Sequence, residues 1–297
     1  MTLTNSIVNY RRYLKRKNYA PHTIKNYLHS LKEFVLWLDV PIEEVRPKKI
    51  THYIDSLHRR RLKPKTINCH LQRIRQFYYY LSREEQVPPA NPVKKNHSLR
   101  MPKPLPKPLR EEELETLFSV VDNKRDRAMF MLMLRSGLRV EEVANLTLGA
   151  VNLKLQSIIV YDPKWGKDRV AYMSDDALKT LIDYLRLRPA SKAKKLFLVQ
   201  KGTYRTKPLS VRGIQKRMEY YAKKTGLSVS CHNLRHTWAE QMLNADAELE
   251  TIQDILGHSW ITTTQRYCRL SNQKVRKDYF RTMAIVMQRT GAVPLGP

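Results

Sequence analysis

Seven of the sixteen prolines in this 297-residue chain fall between Val87 and Arg110, at Pro88, Pro89, Pro92, Pro102, Pro104, Pro106 and Pro108. Proline fixes φ and removes a backbone donor, so no helix can run through that stretch. The chain is therefore read as two folded pieces, 1–87 and 111–297, joined by an extended linker over 88–110. A length of 297 residues also fits two domains better than one. Basic residues sit between the prolines. Such a tether suits a protein that closes around a charged rod, and it equally suits an ordinary spacer.

The piece before the linker is periodic in threes and fours. Ile24, Tyr27, Leu28, Leu31, Phe34, Val35 and Leu38 form one amphipathic stripe, and Ile67, Leu71, Ile74, Phe77, Tyr78 and Leu81 form another. Shorter helical patterns cover about 5–16 and 48–60, which makes a small all-helical bundle. Beyond the linker, Glu111, Glu112 and Glu113 suit a helix first turn, and Arg125 to Ser136 reads as a buried helix ended by Gly137. Ser157–Tyr161 and Arg169–Met173 are β-rich and bracket a hairpin with a cationic tip. Further helices are expected over about 174–187, 210–225, 232–244, 248–256 and 260–270. The fold class is thus mainly α with a small antiparallel sheet.

Charge narrows the partner. Fifty-five Lys and Arg against 27 Asp and Glu leave +28, a self-repulsion best tolerated beside a polyanion. Nucleic acid leads and an anionic membrane follows. No apolar run approaches the roughly 20 residues of a spanning helix, and Met1 to Lys17 carries no apolar signal core. A cytoplasmic, nucleoid-associated protein with no membrane partner is expected. Cys69, Cys231 and Cys268 are isolated and off metal-ligand spacing, so they read as reduced thiols and no metal or other cofactor is implied. Basic residues crowd the bundle at Arg59, Arg60, Arg61, Lys63 and Lys65, with Arg73 on the next helix. One such run is ordinarily a solvated face; several on one small bundle read as phosphate contacts.

Four separated pieces carry the chemistry. His232 and Arg235, in Cys231-His232-Asn233-Leu234-Arg235, are three apart and share a helix face. Gly257 ends a helix and presents His258 at a turn, and Tyr267 follows His258 by nine residues. Upstream, Arg139 lies in Ser136-Gly137-Leu138-Arg139-Val140-Glu141-Glu142. Singly, each has a bland reading: a packed His, a core Tyr with a polar tip, an Arg139–Glu142 pair on one helix. Together they fit attack on a phosphodiester. Planar guanidinium groups grip the non-bridging oxygens of an anionic phosphorane, a phenol needs a positioned base, and the departing alkoxide needs a proton. His232 is the candidate base, and a hairpin lysine the candidate acid.

The order Arg, Lys, His-x-x-Arg, Leu-Gly-His, Tyr resembles the tyrosine recombinase (phage integrase) family, with Xer enzymes nearest in layout. The resemblance implies an N-terminal helical core-binding (SAM-like) bundle over 1–87 and a tyrosine-recombinase catalytic domain over 111–297. It implies a site-specific DNA recombinase that cuts and rejoins strands through a 3′-phosphotyrosine, without metal or high-energy cofactor. Arg139 and Arg235 would clamp the scissile phosphate, Tyr267 would become linked to it, His232 and His258 would assist, and Glu142 would support Arg139. Lys164 matches the hairpin lysine of similar enzymes, Lys167 a second basic residue, though Trp165 interrupts the usual small-residue turn. Lys164 is the favoured acid. The resemblance further implies a double-stranded recombination site, a dimer per site and a homotetramer on two duplexes. The tail, 271–297, carries an apolar stripe that docks on a neighbouring protomer in similar enzymes or folds back on its own domain. Two other readings stay open: a type IB topoisomerase, and a DNA-binding relative that has lost catalysis.

Overall fold

The computed structural model describes residues 3–86, 90–101, 107–161 and 168–257. They fall into two compact units, divided between Lys103 and Pro104. Four helices make the first: α1 (Leu3–Arg16), α2 (Pro21–Trp37), α3 (Pro47–Arg59) and α4 (Pro64–Glu84). Three of them start on a proline, placed where its missing N–H removes only a donor that no helix could satisfy. The periodic stripes turn inward. Phe34, Ile50, Tyr53, Leu57, Ile67, Ile74 and Phe77 are buried together. The buried Tyr78 hydroxyl donates to the Ile42 carbonyl at 2.9 Å.

Of the proline-rich stretch, residues 90–101 form irregular chain around a 3₁₀ turn at Lys95–His97, docked on the bundle. Val93 belongs to the bundle core. Arg75 donates to the carbonyls of Val93 (3.1 Å) and Lys94 (2.8 Å), and Asn68 bonds both backbone groups of Leu99 at 2.9 and 2.8 Å. Side chains of α4 thus supply the hydrogen bonds that an irregular backbone lacks.

The second unit is built on α6 (Lys124–Arg135), whose residues from Ala128 to Leu134 are all buried. Ahead of it, α5 (Glu111–Ser119) opens on its three glutamates. Behind it come α7 (Val140–Asn145), the strands β1 (Val151–Asn152), β2 (Ser157–Val160) and β3 (Arg169–Tyr172), then α8 (Asp175–Leu187), α9 (Val211–Thr225), α10 (Cys231–Asn244) and α11 (Leu249–Leu256). Packed against α6 are α8 and α10. The strands form an antiparallel sheet in the order β1-β2-β3, with Ile158 opposite Ala171 and Val160 opposite Arg169. Ile158 and Ala171 face the core while Ile159 and Val170 are exposed, the two-residue alternation of a half-buried sheet. A buried Asp126 is compensated by Arg125, Arg217 and the Tyr221 hydroxyl.

Expected and observed elements agree to within a residue or two at most ends. The periodic reading missed α7 and β1. Six and two residues are too few to display a period. The expected helix over 260–270 and the hairpin tip with Lys164 and Lys167 lie outside the described residues, as does the tail. No helix among the described residues is long and apolar enough to cross a membrane.

Candidate active site

The site begins where α6 stops. Ser136 caps the helix and Gly137 follows at φ +64°, a left-handed turn. A Cβ on Gly137 would stand 2.8 Å from Trp238 Cε3, so two requirements select glycine here. The turn delivers Arg139 to the N-cap of α7. Glu142, three residues on, accepts the Arg139 N–H at 2.7 Å and its Nη1 at 2.8 Å. The predicted pair therefore exists, with Arg139 at the head of the helix and its side chain 36% exposed.

Helix α10 supplies His232 and Arg235. Its start is fixed by its own polar residues: Asn233 accepts from the Ser230 N–H (3.0 Å) and donates to the Lys107 carbonyl (2.8 Å), and Thr237 accepts from the Leu109 N–H (2.8 Å). Arg235, only 2% exposed, donates to the Gly137 carbonyl and, at 2.6 Å, to that of Leu256, with Glu142 3.9 Å away. His232 is exposed at the first turn, its ring edge-on to that of His236 with centroids 4.1 Å apart. Desolvation of the ring, and then the cations of Arg235 and Arg139, hold its pKa below the ordinary imidazole value.

A third arginine joins them. Arg169, the first residue of β3, meets Glu142 as a two-armed fork at 2.9 and 2.8 Å and donates Nε to the Ile255 carbonyl at 2.6 Å. Arg139 also donates to the Gly257 carbonyl at 3.3 Å. The last carbonyls of α11 are thus capped one by one, Ile255 by Arg169, Leu256 by Arg235 and Gly257 by Arg139. A helix C-terminus has unpaired carbonyls and a negative dipole end, so cations belong there. Glu142 ties the three guanidinium groups from the other side. Burial alone would raise its pKa, but the hydrogen bonds and charge of Arg169, the Arg139 N–H and the charge of Arg235 bring it down to about 2. Gly257 ends α11 at φ +61°, and His258 is the next residue.

The described residues therefore bring Arg139, Glu142 and Arg235 together at the end of α11, with His232 on α10 within electrostatic reach of both arginines. His258, Tyr267, Lys164 and Lys167 lie outside the described residues. Sequence reasoning missed Arg169, because an arginine opening a strand reads as a solvated end and its partner is 27 positions away.

On the bundle, Arg59, Arg60, Arg61, Lys63 and Lys65 form an exposed basic turn between α3 and α4, with Arg61 at φ +58°. Arg60 is paired with Glu33 at 3.1 Å, and Arg73 is half-buried and donates to Ser30 at 2.8 Å.

Residues 107–274 match the phage integrase family, and residues 7–85 match the SAM-like N-terminal domain of phage integrases. The chain belongs to the phage integrase family. Among its relatives, tyrosine recombinase XerC of Halalkalibacterium halodurans is 34% identical over 291 residues, spanning 91% of this chain and 94% of its own length. Solved integrases share the fold. The Tn1549 transposon integrase with transposon right-end DNA superposes with a TM-score of 0.77 at 19% identity, covering 95% of this chain and all of that one. A lambda integrase tetramer on a Holliday junction gives 0.71 at 19% identity, covering 88% and 79%. This phage integrase family member is a site-specific recombinase of the tyrosine class.

Proposed function

We propose that this chain breaks and rejoins double-stranded DNA by transferring the scissile phosphate to Tyr267. The phenol oxygen bonds to phosphorus as the bond to the 5′ oxygen breaks. The phenol proton goes to His232, and the leaving 5′ oxygen takes a proton from Lys164, with Lys167 on the DNA backbone. Arg139 and Arg235 hold the non-bridging oxygens, His258 adds a hydrogen bond, and Glu142 orients Arg139. The phosphotyrosine conserves the bond energy, so a 5′ hydroxyl from a partner strand reverses the step. Phosphoryl transfer of this kind is catalysed by positioning and by fixed positive charge.

What supports the reading is that Arg139 and Arg235 cap the Gly257 and Leu256 carbonyls, just before His258 in the sequence, with His232 close enough to both for their cations to act on its ring. A neutral imidazole beside two guanidinium groups is suited to accept the phenol proton. The basic turn at 59–65 suits phosphate contacts by the bundle, and the linker over 88–110 suits a clamp formed by a bundle up to residue 87 and a catalytic domain from 111 on. Lambda integrase has been seen as a dimer on a core site and as a tetramer on a Holliday junction. We extend that assembly to this chain, with a dimer per site and four protomers on two duplexes.

The test is Tyr267→Phe, which keeps the ring and removes the nucleophilic oxygen. The variant is expected to bind DNA carrying the cognate site and give no protein–DNA adduct on a denaturing gel, where the unaltered chain gives one. An adduct from Tyr267→Phe places the nucleophile elsewhere.

A further inference from the structure

Arg169 is largely enclosed, with 9% of its side chain exposed. Both arms of its fork are held by Glu142 and its Nε by the Ile255 carbonyl. Its aliphatic stem lies where any side chain at position 257 would stand, 3.0 Å from that Cβ. One residue therefore joins three parts of the domain: the strand that follows the hairpin, the head of α7, and the end of α11.

The charges decide what this junction does. Three arginines against one glutamate leave 3 − 1 = +2 around the end of α11. Glu142 is needed to orient Arg139, yet a carboxylate paired with Arg139 alone would cancel the charge it orients. Arg169 resolves that conflict, because its bidentate contact is the geometry in which a guanidinium best neutralises a carboxylate. We propose that Arg169 is a positioning residue for DNA cleavage: it neutralises Glu142 and anchors it to α11, so that Arg139 is oriented while its charge stays available to the scissile phosphate. This rests on the reading that Arg139 and Arg235 hold that phosphate. A purely structural ion pair between β3 and α7 is the alternative, and it makes a different forecast.

Removing the fork in R169Q changes the sum to 2 − 1 = +1, and removing both partners in E142Q/R169Q restores 2 − 0 = +2. R169Q is expected to bind DNA as the unaltered chain does and to form the covalent complex about 10- to 100-fold more slowly, the usual effect of losing a group that orients a functional one. On DNA with a methylphosphonate at the scissile position, which carries no charge there, the gap to the unaltered chain is expected to shrink several-fold. The double variant is expected to cleave ordinary DNA faster than R169Q. It leaves neither charge of the pair buried alone, which also favours its folding. If R169Q does not fold, R169K takes its place, keeping the cation and losing the fork.

A loss of equal size on both substrates makes Arg169 a structural residue only and overturns the proposal. So does a double variant no faster than the single one, or an R169Q that cleaves normally. The unaltered chain and Tyr267→Phe, run alongside, report on the nucleophile separately. An adduct from Tyr267→Phe overturns the phosphotyrosine reading whatever Arg169 does.

Discussion

Replacing Gly137 by alanine separates backbone strain from crowding at the heart of the site. Two costs are expected. At φ +64° an L residue is disfavoured by about 1–2 kcal/mol. The new methyl would also stand 2.8 Å from Cε3 and 3.0 Å from Cδ2 of Trp238. Trp238 is buried and cannot swing aside into solvent, so the overpacking adds about 1–3 kcal/mol. The sum is about 2–5 kcal/mol, which lowers Tm by about 4–20 °C for a domain of this size. Gly202 provides the internal control: it has φ +77° and nothing within 4 Å of its Cβ. Gly202→Ala therefore pays only the conformational cost, about 1–2 kcal/mol. Calorimetry on the full-length chain, following the transition of the catalytic unit, measures both. The Gly137 carbonyl also accepts from Arg235, so Gly137→Ala is expected to slow covalent-complex formation at temperatures where it remains folded, and Gly202→Ala is not. A Gly137→Ala variant no less stable than Gly202→Ala would refute the contact with Trp238.

Two further outcomes concern protons. Glu142 falls from an ordinary 4.5 to about 2 on folding, so its contribution is fully present above pH 4.5 and is lost as pH drops toward 2. The shift corresponds to about 3 kcal/mol, and acid titration of stability is expected to be shallower between those limits for Glu142→Gln; an unchanged slope contradicts the assignment. His232, lowered by desolvation and two cations, is neutral at pH 7. Covalent-complex formation is accordingly expected to fall on the acid side with a midpoint below 6.5, and a midpoint at or above that value removes His232 as the base.

Much of this molecule is legible in its sequence, and the illegible part has a common cause. The bundle stripes, the buried α6 and the pairing of His232 with Arg235 on one face all repeat every three or four residues, and periodicity is what a sequence displays directly. Gly137 and Gly257 announce helix ends by their conformational freedom. What the sequence does not display is the target of a side chain when that target is backbone. The carbonyls of Ile255, Leu256 and Gly257 carry no residue-type signal, so their capping by three arginines from β3, α10 and the head of α7 is visible only in three dimensions. Arg169 was missed partly for that reason and partly because its other partner, Glu142, is 27 positions away, and Arg139 reads from sequence as a helix-face pair although it sits at an N-cap. The docking of 91–99 on the bundle is hidden in the same way, since Arg75 and Asn68 act on main-chain groups.

The eight residues of α11 bury Ile252 and Leu256 in a small cluster with Trp238, Ala239 and Leu243, apart from the main core around α6. Among the described residues, its hold on the domain is this minor apolar contact plus a set of guanidinium–carbonyl bonds. Segments attached in this way open in units of their own, at a free energy well below that of global unfolding. The end of α11, one residue before His258 in the sequence, is thus held by a latch of guanidinium–carbonyl bonds. Salt and bound phosphate act on such a latch directly, while the core of the domain is indifferent to both.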